Sequence, residues 1–127
     1  MNATAVQEET YTIAEVAAKT GVSAHTLRYY ERIGLLDVSR QANGHRRFTE
    51  YDIHGVVFIG RLRATAMPIR EIQRYFALVA AGSSTESDRL ALLQSHRLAV
   101  RTRLNEVEEA LSAIEHKIAR YGGSGTP

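Results

Sequence analysis

Side chains that move protons, hold metals or grip phosphates come first. The five histidines are His25, His45, His54, His96 and His116. No two of them stand three or four residues apart, the spacing that lets one helix face offer two imidazoles to an ion. There is no cysteine, which excludes disulfides, thiolate metal sites, iron–sulfur clusters and a cysteine nucleophile. The glycines are scattered as caps and turns and never cluster into a phosphate-cradling loop. The paired carboxylates Glu108 and Glu109 fall on what reads as a solvated helix face. The expectation is therefore no catalytic residue, no metal site and no cofactor.

The arginines carry more. Lys19 and Lys117 are the only lysines among 16 basic residues, so the cations are overwhelmingly guanidinium, the group suited to planar, bidentate contact with phosphate and guanine. A genome-wide codon bias would give the same skew, so position matters more than number. The net charge of the whole chain is only +2. Between Arg28 and Arg74, however, nine arginines (28, 32, 40, 46, 47, 61, 63, 70 and 74) stand against five acids (31, 37, 50, 52 and 71), a local excess of four positive charges. From residue 86 to 120 the count is six and six. The positive field thus sits on one half of the chain, the electrostatic footprint of a nucleic-acid surface.

Several short elements must position those arginines. Thr12 and Glu15 form a capping box ahead of Ile13, Val16 and Ala17, and Gly21 closes this first helix. Ser23 caps a second helix through about Ile33, with Leu27, Tyr30 and Ile33 inward, and Gly34 stops it. Two short helices joined by a glycine-containing turn are a helix-turn-helix. Leu36, Val38 and Phe48 read as short extended pieces around Asn43–Gly44, the strongest short hairpin signal, giving a two-stranded wing. Thr49 and Asp52 cap a third helix to about Thr65, with Ile53, Val56, Val57, Ile59 and Leu62 apolar. Pro68 opens a fourth, to about Ala81, striped by Ile69, Ile72, Phe76 and Val79, and Gly82–Ser84 break it.

The last segment has the clearest period. Leu90, Leu93, Arg97, Val100, Leu104, Val107, Leu111, Ile114, Ile118 and Tyr121 step alternately by three and four. This is an a/d seam over more than four heptads with one polar position, Arg97. The helix it predicts is about 46 Å long and would protrude from a domain of roughly 75 residues. A coiled coil with a second copy buries the seam most economically. Arg97 either pairs with an acid on the partner helix or marks where the seam stops.

The resulting fold class is mainly α: a winged helix-turn-helix DNA-binding domain over residues 11–81, then a coiled-coil dimerisation helix over 86–121, with flexible ends at 1–10 and 122–127. The dimerisation residues are Leu90, Leu93, Val100, Leu104, Val107, Leu111, Ile114 and Ile118. In a helix-turn-helix the second helix offers its N-terminal residues to base edges in the major groove. Here those are His25, Thr26 and Arg28, with Tyr29 beside them as the exposed tyrosine; its alternative is partial burial in the core. The wing supplies Asn43, Gly44, His45, Arg46 and Arg47, the two arginines read as a hairpin tip without acidic neighbours in sequence and suited to backbone or minor-groove contact. Arg40 adds a phosphate contact.

The strings Thr12-Ile13, Glu15-Val16-Ala17, Gly21-Val22-Ser23, Thr26-Leu27-Arg28-Tyr29-Tyr30-Glu31, Gly34-Leu35-Leu36 and Gly44-His45-Arg46-Arg47-Phe48 resemble, in order, the MerR family of bacterial transcription regulators. Leu62-Arg63, Met67-Pro68-Ile69 and the closing Lys117–Tyr121 look most like its aldehyde- and thiol-stress branch. The resemblance implies a winged helix-turn-helix homodimer joined by an antiparallel coiled coil. It implies a near-palindromic operator in an overlong promoter spacer, regulation by bending and untwisting that DNA, and RNA polymerase as a further partner. It places His25, Thr26, Arg28 and Tyr29 on the recognition helix, Arg46 and Arg47 on the wing, and Thr12 at a helix N-terminus that can hold a phosphate. The chain departs from the family's cysteine-based metal and thiol sensors, having no cysteine. Only six residues follow the arm, where drug-sensing members carry a ligand domain.

With 127 residues, 44% hydrophobic and 24% charged, the composition is that of an ordinary globular chain. No apolar run approaches the 18 or so residues that read as a membrane span, and no basic-then-apolar leader opens it, so a cytoplasmic, nucleoid-associated protein is expected. The alternative function is a coiled-coil interaction or architectural module that pairs with another protein and binds DNA without sequence preference.

Overall fold

The computed structural model describes residues 9–123. The expected flexible ends therefore fall largely outside the described residues. The chain divides into two compact units, one up to Glu86 and one from Ser87 on.

The first unit contains strand β1 (Thr10–Tyr11), helices α1 (Ile13–Thr20) and α2 (Ala24–Arg32), strands β2 (Ser39–Arg40) and β3 (Arg46–Thr49), and helices α3 (Glu50–Ala64) and α4 (Ile69–Ala80). Its caps are the ones the sequence announces. Thr12 closes a capping box with Glu15, and Thr49 closes another with Asp52. Ser23 accepts from the Thr26 amide at the start of α2. At the end of α2, Gly34 (φ 86°) turns left-handed, and the Gly34 and Leu35 amides donate to the Glu31 and Tyr30 carbonyls. That is a Schellman closure, and a left-handed residue without a Cβ makes it cheap.

The wing is larger than the expected pair of strands. β3 lies between β1 and β2, antiparallel to both, with Tyr11 opposite Phe48 and Arg40 opposite Arg46. Residue 10, read as part of a frayed leader, is instead paired with Thr49. A two-residue strand has no period to detect; long-range pairing with β3 creates it. Leu35, Leu36 and Val38 are buried, yet only Ser39 and Arg40 of this stretch form strand.

The core gathers Val16, Leu27, Phe48, Val56, Ile59 and Ile72, each at most 1% exposed. These residues come from α1, α2, β3, α3 and α4, so all four helices and the central strand of the unit share one apolar centre. Val57, expected on the apolar face of α3, is 43% exposed instead. It lies off the row set by Ile53, Val56 and Ile59, because consecutive helix residues diverge by about 100°.

The second unit is the long helix α5, Glu86–Arg120, which begins in the preceding residue of the first. None of its residues is buried. Its seam lies open: Leu90, Leu104, Val107, Leu111, Ile114 and Ile118 are between 42% and 57% exposed, while Leu93 and Val100 are half-buried. Gly122 and Gly123 finish the helix, donating to the Ala119 and Ile118 carbonyls in a second Schellman closure. They were expected to form nothing; two glycines are just what this cap needs.

α3 ends in the same closure with the wrong residue. The Ala66 and Met67 amides donate to Arg63 and Leu62, and Ala66 adopts φ 64°, the one non-glycine residue among those described with positive φ. Met67 and Leu62, both about 4% exposed, supply the apolar contact that holds the turn. Left-handed backbone costs an L-residue roughly 1–2 kcal/mol, part of which glycine returns as unfolded-state entropy. Ala66→Gly is expected to stabilise the fold by about 0.5–1 kcal/mol. Equilibrium unfolding in denaturant measures this, and a loss of stability contradicts the strain.

Candidate nucleic-acid interface

α2 carries the densest set of predicted contacts. His25 and Arg28 are exposed, and Thr26 and Tyr29 are half-exposed. Leu27 and Tyr30 point inward at 1% and 3% exposure. Helical spacing thus separates the two adjacent tyrosines as expected. Arg32, exposed one turn beyond Arg28, stacks its guanidinium over the Tyr29 ring, 5.4 Å from the centroid. The Thr26 hydroxyl already accepts from Ser23 at 3.0 Å, so its methyl and remaining donor are what it can offer a partner.

Three links fix the end of α2. Gln73 of α4 donates from Nε2 to the Ile33 carbonyl at 2.9 Å, filling one of the acceptors a helix C-terminus leaves open. Arg63 of α3 donates to the Tyr30 hydroxyl at 3.3 Å and lies over its ring. Glu31 accepts from Arg46 Nε at 2.5 Å and lies 3.5 Å from Arg40 Nη2. None of Glu31, Arg63 and Gln73 was given a positioning role from sequence. Only Glu31 had a signal: it is the one acid inside an otherwise basic helix.

The wing tip differs from a two-residue turn. Gln41 donates to His45, and Gly44 (φ 85°) donates back to Gln41, so a turn over Gln41–Gly44 ends in a left-handed glycine. Asn43 Oδ1 accepts from the His45 amide, which is its local turn function. Arg40 Nη1 donates to the Gly44 carbonyl at 3.0 Å, bracing the tip from below. Arg40, Asn43, Gly44 and His45 are all exposed.

Arg46 and Arg47 are not at the tip. They open β3 and are half-buried, with internal partners. Strand alternation puts Arg46 on the face of Phe48, toward Glu31, which lies 15 residues away in sequence. Arg47 turns the other way and donates to the Thr10 hydroxyl at 3.0 Å. Reading them as free tip cations missed both partners, because neither is a sequence neighbour.

Thr12 sits at the N-terminus of α1, but its amide is taken by Glu15 Oε1 at 2.7 Å. Bonding to the Thr12 amide, helped by the Thr12 hydroxyl, Arg47 and Lys19, holds the Glu15 carboxyl below its ordinary pKa. The end of α1 that was expected to receive a phosphate already holds a carboxylate. Next to it, Tyr11 donates to Glu50 Oε1 at 2.7 Å, tying β1 to α3. Among the described residues no group of three or more His, Cys, Asp or Glu could hold a metal ion. No helix among them is long and apolar enough to cross a membrane.

A docked helix-turn-helix, a three-stranded wing and a row of exposed histidine and arginines beside a half-exposed tyrosine define a winged-helix DNA-binding protein. Residues 11–78 match the model of the MerR HTH family regulatory protein, and residues 53–117 match the MerR DNA-binding model. The chain belongs to the MerR family and is a DNA-binding transcription regulator of that type. An HTH-type transcriptional regulator of Haemophilus influenzae is 36% identical, over 88% of this chain and 84% of its own length. The crystal structure of HiNmlR, a MerR family regulator lacking the sensor domain, bound to promoter DNA, superposes with TM-score 0.82 at 36% identity, covering 90% of this chain and 91% of that one. A putative MerR family regulator from Listeria monocytogenes gives 0.86 at 35% identity, with 88% and 86% covered.

The Tyr11 hydroxyl gives the site a pH signature. Its bond to Glu50, with burial and the nearby negative charge, pushes its pKa from 10.0 up to about 12. A pKa raised on folding stabilises the protein fully below the unfolded value and loses that contribution as pH climbs to the folded one. The stability difference between the wild type and Tyr11→Phe is therefore expected to stay constant below pH 10.0 and to shrink toward pH 12. Chemical unfolding at stepped pH measures it; a difference that holds through that window contradicts the assignment.

Proposed function

We propose that the protein works as a homodimer on a near-palindromic operator within a promoter spacer, bending and untwisting the DNA so that RNA polymerase can use or is denied the promoter. The observation that carries this is the exposed row His25, Arg28 and Arg32 on a helix whose other side is buried. A helix with one face fixed in a core and a basic face free is built to enter a major groove. The similar regulator bound to promoter DNA supports duplex DNA as the partner here.

The roles divide by position. His25, Arg28 and Tyr29, with Thr26, reach base edges and the flanking backbone. Arg40, Asn43, Gly44 and His45 at the wing tip contact phosphates. Arg46 and Arg47 act closer to the body of the wing, and Thr12, whose amide Glu15 occupies, caps α1 rather than holding a phosphate. The seam of α5 joins two copies: an open stripe of leucine, isoleucine and valine on a 35-residue helix is an interface in need of a partner. The domain division follows, with residues 11–81 binding DNA and 86–121 dimerising. The protein acts in the cytoplasm, at the nucleoid, and catalyses no reaction.

Selecting preferred duplexes from random DNA tests this. Arg28→Ala is expected to weaken binding to the selected site by about 1–3 kcal/mol and to relax base preference at one position of each half-site. An equal loss on selected and random duplexes contradicts a base-reading role for Arg28.

A further inference from the structure

A carboxylate on a DNA-binding helix is a liability, since it faces a polyanion. α2 has one, Glu31, next to the exposed Arg32 and one turn from Leu27 and Arg28. Its geometry explains its presence. Oε1 accepts from Arg46 of β3 at 2.5 Å, and Oε2 lies 3.5 Å from Arg40 of β2. Arg40 in turn donates from its other terminal nitrogen to the Gly44 carbonyl at the wing tip. A continuous polar chain therefore runs from the last turn of α2 through both strands to the tip. The Glu31 and Arg46 side chains are only 21% and 24% exposed, so this link is screened less than a surface ion pair.

Other contacts hold α2 to the body through Leu27, Tyr30 and Ile33. The wing is anchored by the buried Tyr11, Val38 and Phe48, but both β2 residues and the tip are exposed, and the ion pairs that reach its strands from α2 converge on Glu31. Glu31 is thus the polar group that ties both wing strands to the recognition helix. We propose that Glu31, by gripping Arg46 and Arg40 at once, is a specificity-determining positioning residue that fixes the wing against α2 so both meet one duplex in register. It also holds two guanidiniums back from indiscriminate phosphate contact. The inference rests on α2 and the wing forming the DNA face.

The signs of the predicted effects separate this role from a merely structural one. Glu31→Gln keeps the shape of the side chain and removes its charge. Affinity for the duplex selected from random DNA is expected to fall about tenfold, the size of a lost charge-assisted hydrogen bond. Affinity for a random duplex is expected to hold or rise, with a log–log salt slope steeper by about one, because freed arginines add a phosphate contact. Most of the change in selectivity should disappear when Glu31→Gln is made in an Arg46→Gln background. Amide exchange, read without DNA, should speed up across residues 39–47 and stay unchanged in α3. Parallel weakening on both duplexes, an unchanged selectivity ratio, an undiminished effect in the Arg46→Gln background, or unchanged exchange across the wing would each overturn the proposal. Should the wild-type chain select no preferred duplex at all, the operator reading fails, while the exchange result still judges Glu31's hold on the wing.

Discussion

The docking of α2 is the interaction on which the first unit depends. A nine-residue helix is too short to persist in water, where nucleation cost outweighs its few internal bonds. It exists because Leu27 and Tyr30 are buried and because other elements hold its ends. Ser23 satisfies its first turn, Gly34 closes its last, and Gln73 and Arg63 reach it from α4 and α3. Displacing any of these shifts the row of His25, Arg28 and Arg32, since a rigid short helix moves as one piece. DNA recognition in this chain is thus a consequence of core packing as much as of the exposed side chains.

Charge follows the same division of labour. Of the nine arginines between residues 28 and 74, Arg46, Arg47 and Arg63 have internal acceptors, and Arg40 has one foot in the wing and one on Glu31. Arginine suits this double duty because its planar fork can satisfy an internal acceptor and still present other N–H groups outward. The basic excess is therefore part scaffold and part contact surface. The second unit contributes no such excess. It offers an apolar stripe along α5, whose natural complement is another stripe of the same kind.

Much of this was legible in the sequence, for local reasons. Thr12 with Glu15, Ser23, and Thr49 with Asp52 cap helices through side chains three residues apart, so the boundaries of α1, α2 and α3 are written next to them. The seam of α5 is equally local, a repeat on one helix. What escaped was set by distant partners. Strand β1 exists only because β3 lies beside it, and Arg46 meets a glutamate that nothing in its neighbourhood announces. The alternation Arg46–Phe48 was the available clue: a residue two places before a buried phenylalanine on a strand shares its face. Asn43–Gly44 did mark the turn, but which type forms depends on the register that β2 and β3 adopt.

On the proposed homodimer, two copies of this chain read one duplex, each with α2 and its wing. Hydroxyl-radical footprinting of the wild-type protein on its selected duplex tests it most directly. Two protected half-sites related by a dyad are expected, lying on one face of the DNA and flanked by weaker wing protection. A single protected patch, or uniform protection that tracks protein concentration along the whole duplex, would contradict it.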